Sequence, residues 1–149
     1  MNVKYLMLLA FILVAVCTDM TQTRISNRLI VVGLFVGLVL RIFEEGWTGI
    51  LVYIFNISIP VILLFPLFCL RALGAGDIKL FSMVGAFITR EQLLEVVWMA
   101  FRIAAICGVI KILHHYVIER KYRGMFTKIH FSPFIAIAYL ISIWRCMSG

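Results

Sequence analysis

The chain has 149 residues, of which 64% are hydrophobic and 14% charged, with a mean hydropathy of +1.09. Soluble domains are closer to half apolar and a quarter charged, so these values exclude a soluble fold and specify an integral membrane protein. The net charge of +7 does not point to nucleic acid, because no basic stretch interleaved with aromatics lies outside the apolar runs; in a membrane protein the same excess marks cytoplasmic loops and contact with anionic headgroups.

Charge-free stretches cover residues 5–18, 29–40, 46–70 and 129–144. Residues 72–89 are apolar apart from Asp77 and Lys79, and residues 93–113 apart from Glu95, Arg102 and Lys111. A crossing takes about 20 residues, fewer where polar ends snorkel. This predicts an all-α polytopic bundle of about six transmembrane helices at roughly 3–18, 26–43, 48–70, 74–89, 93–114 and 131–147, forming one membrane-embedded domain over 1–149. The first segment resembles a signal peptide, with Lys4 ahead of an apolar run, but cleavage near Cys17 would strand Asp19, so it is expected to be retained as a helix.

Pro60 and Pro66 are expected to kink the third helix. Gly33 and Gly37 on the second, and Ala100, Ala104 and Gly108 on the fifth, are expected to allow close helix contact. Cys17, Cys69, Cys107 and Cys146 form no CxxC pair and read as small buried hydrophobes.

Arg24, Arg28, Arg71, Lys111, Arg120, Lys121, Arg123 and Lys128 collect in the connections after helices one, three and five. The connections after helices two and four carry only Arg41 against Glu44 and Glu45, and Arg90 against Glu91. The positive-inside rule then puts the odd-numbered connections in the cytoplasm and both termini outside. With that topology Asp19 leaves helix one and Asp77 enters helix four at the same face.

A charge at membrane depth is expensive, and such residues usually serve a function. Asp77 lies in Gly74-Ala75-Gly76-Asp77-Ile78-Lys79. The two glycines permit positive φ and close approach by an extended peptide, and the apolar residues before Asp77 place it deeper than a simple helix cap. Asp19 precedes a polar turn that ends in Arg24-Ile25-Ser26-Asn27. Two such aspartates brought together share one proton and can activate water.

In these two segments the chain resembles the type IV prepilin peptidases, bacterial membrane aspartyl proteases. Their Gly-x-Gly-Asp-x-Lys motif is matched by residues 74–79, and their Arg-Ile-Pro-Asn by Arg24-Ile25-Ser26-Asn27, with Ser26 in place of proline. Phe131-Ser132-Pro133-Phe134 is similar to the Pro-bearing start of the family's last helix. The resemblance implies that Asp19 and Asp77 are catalytic, with Gly74, Gly76, Lys79, Arg24 and Asn27 supporting the site or binding substrate. It further implies cleavage of prepilin-like leader peptides after a glycine, on the cytoplasmic side of the bacterial inner membrane. With no CxxC-bearing cytoplasmic domain between the first two helices, the chain resembles the short members that lack N-methyltransferase activity.

No metal or cofactor is expected, since paired acids carry this chemistry alone. The expected partners are prepilin-like precursors and the bilayer, and nothing in the chain specifies an oligomeric state. Lys79, two residues past Asp77, is expected on another face of its helix, tuning an aspartate, binding a lipid phosphate or snorkelling. Arg102, about 13 Å into helix five, is expected to face the bundle and pair with Asp19, Asp77, Glu91 or Glu95. His114, His115 and His130 read as interfacial residues, since adjacent histidines point to different helix faces.

The competing reading is a small ion-coupled transporter using Asp19 and Asp77 as proton carriers. Placement of both acids near one face, and the lack of an inverted repeat, count against it. An inactive scaffold is disfavoured by retention of both acids.

Overall fold

The computed structural model describes residues 3–22, 25–71, 73–118 and 131–148, and the side chains of 22, 111–118, 147 and 148 are left undescribed. These residues form six helices and no strand: α1 (Val3–Gln22), α2 (Asn27–Glu45), α3 (Thr48–Cys69), α4 (Ala75–Phe87), α5 (Arg90–Ile118) and α6 (Ser132–Ser148). The predicted bundle is present, with α1 and α5 longer than expected. Val3–Thr21, Thr48–Cys69 and Arg90–Ile110 are each long and apolar enough to cross a membrane.

Each outer helix buries one narrow stripe at three- and four-residue spacing, the signature of a helix with a single inward face. On α1 the stripe is Leu8, Ile12, Ala15 and Asp19. On α2 it is Ile30, Gly33, Gly37 and Arg41, and on α3 it is Gly49, Tyr53, Asn56, Pro60 and Leu64. α3 runs through Pro60 and Pro66 as one helix. Leu6, Leu13, Phe35, Phe55, Ile62 and Trp98 are exposed, as expected of faces that meet lipid rather than water.

α4 occupies the centre. Its 13 residues reach only about 20 Å at 1.5 Å per residue, short of the ~30 Å hydrocarbon core. Every residue from Leu80 to Phe87 is buried, and the helix packs against all five others. Lipid tails are as apolar as these side chains, so close packing rather than exclusion of water holds the core.

That packing depends on small residues where backbones meet. A Cβ added at Gly37 would fall 2.6 Å from Ala86 Cβ, and one at Gly85 would fall 2.7 Å from the Asn56 carbonyl oxygen. Gly33 is similarly closed by Met83. The expected small face of α2 is therefore used. That of α5 is used only at Ala100, which is fully buried, since no described atom lies within 4 Å of a Cβ built on Gly108.

Successive helices run antiparallel, so the bundle has two distinct ends. Lys4 and Glu44, paired at 2.9 Å, belong to the end where α1 starts and α2 finishes. Asp19 and Ser132, in contact at 2.6 Å, belong to the other end, where α1 finishes and α6 starts.

Candidate active site

Asp19 faces inward because it continues the buried stripe of α1, four residues after Ala15. α1 extends to Gln22, so Asp19 stands in its last turn rather than beyond its end. Only 8% of the residue is exposed. A buried carboxylate needs donors, and Ser132, at the start of α6, donates its hydroxyl to Asp19 Oδ2 at 2.6 Å.

Ser132 is itself fully buried and is fixed from its neighbour's side. The Phe131 ring lies 5.2 Å from Phe101, 6.1 Å from Phe81 and 5.9 Å from Phe134. The Phe131 carbonyl accepts the Phe134 and Ile135 N–H groups at 3.1 and 3.3 Å, which opens α6. Offset and tilted aromatic contacts of this kind each contribute about 0.5–1.5 kcal/mol beyond area burial.

Asp77 is the third residue of α4 and is half-buried. Gly74 and Asp77 hold each other reciprocally: the Asp77 N–H donates to the Gly74 carbonyl at 3.1 Å, and the Gly74 N–H donates to Asp77 Oδ2 at 3.3 Å. Asp77 thus caps its own helix start. A first-turn carboxylate also suits the positive end of a helix.

The glycines act through space rather than through conformational freedom. Gly74 has φ −78° and ψ 147°, and among the described glycines only Gly46 has positive φ. A Cβ at Gly74 would stand 3.0 Å from Asp77 Oδ2, whereas one at Gly76 would meet Ile25 at an ordinary 3.6 Å.

The two sequence motifs are brought together. Ile25 lies beside Gly76, and Lys79 Nζ donates to Asn27 Oδ1 at 3.0 Å. Lys79 is exposed, and its ammonium ties the start of α2 to α4. Arg24 lies outside the described residues. Asp19 and Asp77 therefore occupy the same end of two helices packed against each other, and Phe81, one turn beyond Asp77, touches the ring of Phe131 next to Ser132.

Two expectations are corrected. Arg102 is exposed, since it lies roughly 200° round α5 from the buried Ala100 at 100° per residue. Glu95 instead pairs with Arg145 at 2.9 Å and accepts from Ser142 at 3.4 Å. All four cysteines are exposed, because in this bundle apolar residues turn outward as readily as inward. Among the described residues no cluster of histidine, cysteine and carboxylate ligands has metal-binding geometry; the side chains of His114, His115 and His130 lie outside that description.

Ser132 was missed. A serine opening a helix reads as a cap in any sequence, and only the packing of α6 on α1 reveals the carboxylate 113 positions away. Arg41 was also underread: it is 5% exposed, pairs with Glu45 and donates to the Ile88 carbonyl at 2.6 Å. Asn56 reaches the same carbonyl at 3.1 Å, so together they close the C-terminal end of α4.

A multi-pass helical membrane protein with an inward acid near the end of its first helix, and a second acid capping a central short helix at the same level, belongs to a narrow class. The chain is a member of the type IV leader peptidase family, whose model matches residues 6–109. That span includes both aspartates and both motifs, and the family makes the protein a membrane protease of the leader-peptidase type. Comparisons with curated proteins and with solved structures find no match.

Proposed function

We propose that the protein is an aspartyl endopeptidase in which Asp19 and Asp77 together hydrolyse the leader peptide of type IV prepilin-like precursors. The observation that carries this reading is the meeting of the two motifs at one end of the bundle, through Ile25 with Gly76 and Lys79 with Asn27. Cleavage follows a glycine that precedes the precursor's apolar helix, at the cytoplasmic face of the bacterial inner membrane.

Two carboxyl groups that close on one water hold a single proton between them. The ionised partner takes a proton from water as its oxygen attacks the scissile carbonyl carbon. The protonated partner donates to the carbonyl oxygen. Collapse of the tetrahedral intermediate breaks the C–N bond: the aspartic acid formed from water's proton protonates the leaving amine, and the carbonyl-derived hydroxyl returns its proton to the other aspartate, leaving one proton on the pair. Positioned proton transfer of this kind contributes about 10²–10⁴-fold each way.

The supporting residues keep the acids presented. Gly74 leaves room at Asp77 Oδ2 for an extended substrate backbone, and Lys79 with Asn27 holds the connection after α1 against α4. Arg24 is read as a further supporting residue on the strength of its motif.

Purified full-length protein in detergent, mixed with a synthetic precursor peptide, tests the reading. Wild type should cut after the glycine without an ion gradient, and Asp19→Asn and Asp77→Asn should each fail to cut while remaining folded. Wild-type cleavage by either variant would remove the dyad from the mechanism. No cleavage by the wild type, together with proton flux through vesicles, would favour a transporter.

A further inference from the structure

The geometry points to Ser132 as the positioning residue that orients Asp19, holding its Oδ2 so that Oδ1 is the oxygen presented to water. This rests on the aspartyl-protease reading and adds a residue from α6, which lies beyond the stretch that the family model matches.

The contact is a short O–H···O hydrogen bond of 2.6 Å, well inside the usual range. Ser132 is fully buried and Asp19 nearly so. Bulk water therefore cannot readily replace the hydroxyl, and the orientation it imposes persists.

The two carboxylate oxygens are not equivalent. Among the described residues, Ser132 is the only hydrogen-bond donor to Asp19, and it engages Oδ2. The only side-chain polar atom among them that is both buried and unpartnered is Arg41 Nε. Among the described residues Asp19 Oδ1 therefore has no hydrogen-bond donor and is not sealed from solvent. A carboxylate anchored through one oxygen and open at the other suits a base that must meet a water in one orientation.

The anchor is rigid. Ser132 is flanked by Phe131, whose ring lies among those of Phe81, Phe101 and Phe134 and whose carbonyl caps α6. Phe81 extends from α4, the helix that carries Asp77. The same aromatic set that fixes Ser132 therefore also registers α6 against the helix of the second acid. This gives the last helix of the chain a role in aligning the pair.

The test compares Ser132→Ala and Ser132→Thr with wild type and Asp19→Asn, using the full chain in detergent and a synthetic peptide with a basic leader, a glycine and an apolar segment. Ser132→Ala should lower kcat about 10- to 100-fold, the usual effect of removing a group that orients a catalytic one. Its KM should stay within about twofold, since the hydroxyl touches no substrate. Ser132→Thr, which keeps the donor, should recover most of kcat. Thermal unfolding of each variant is followed alongside.

Wild-type kcat in Ser132→Ala overturns the proposal. So does equal loss of kcat in both variants accompanied by equal loss of thermal stability, which would make Ser132 a packing residue. These outcomes are distinct from failure of the protease reading, which would show as an active Asp19→Asn or an inactive wild type.

Discussion

At the end of the bundle where α1 begins and α2 finishes, three glutamates are matched to cations: Glu44 to Lys4, Glu45 to Arg41 and Glu95 to Arg145. At the opposite end Asp19 is met by the neutral hydroxyl of Ser132. A carboxylate tied to a fixed cation serves as a strut. One oriented by a neutral donor keeps its capacity to exchange a proton. The ion-paired end and the end of Asp19 therefore differ in the partner given to a carboxylate, and α4 joins them: its first turn carries Asp77, and the Ile88 carbonyl that follows it is closed by Arg41 and Asn56.

The largest expected effects come from exchanging the acids. Asp19→Asn and Asp77→Asn each keep side-chain size and remove proton exchange, so each should reduce cleavage by about 10³-fold or more. Unfolding temperature should scarcely change. Activity and thermal unfolding measured on the same preparations decide this, and a variant that loses both in parallel would make the acids structural.

Arg41→Ala should do the reverse. It removes a buried cation from the Ile88 carbonyl and from Glu45, and hydrogen bonds to charged groups contribute roughly 1.5–3 kcal/mol each. The unfolding midpoint should fall by about 5–10 °C, while the folded fraction still cleaves within a few-fold of wild type. A loss of activity far beyond the loss of fold would show that the two ends are coupled through α4.

Much of this division was legible beforehand. The six apolar segments, the inward small face of α2 and the shared level of the two acids all follow from spacing and charge, because helix periodicity in a bilayer is set locally. What could not be read depends on which helix faces which. Nothing in a linear pattern says that Ser132 meets Asp19, that Arg102 turns away while Arg145 takes Glu95, or that the cysteines lie on the outer surface. Of the two properties read into the motif's glycines, positive φ is not used at Gly74, whose backbone conformation is ordinary.

The glycine pair offers a finer division within the site end itself. Gly74→Ala places a Cβ 3.0 Å from Asp77 Oδ2, so the carboxylate must shift by a few tenths of an ångström and lose its alignment with the Gly74 N–H. Misplacement of about 1 Å is worth roughly 10²-fold, and this smaller shift should lower kcat by about tenfold. Gly76→Ala meets only Ile25 at van der Waals distance and should leave kcat within about threefold. Equal effects from the two variants would show that the motif's glycines act through the substrate rather than through Asp77.

The smallest expected effect belongs to Lys79. Its ammonium is exposed and reaches Asn27 at 3.0 Å, a contact that water and salt both weaken. If it serves only to hold the connection after α1 against α4, Lys79→Gln, which retains a donor of nearly the same reach, should cleave at close to the wild-type rate. Lys79→Ala and Asn27→Ala should each lose a few-fold, and the double variant should lose no more than either alone, because both remove the same contact. A double variant with multiplied losses, or a Gln variant as impaired as Ala, would mean that the charge of Lys79 rather than its hydrogen bond matters. That result would move a cation into the chemistry of an end where Asp19 is met by a neutral donor, and would narrow the contrast between the two ends to the partner of Asp19.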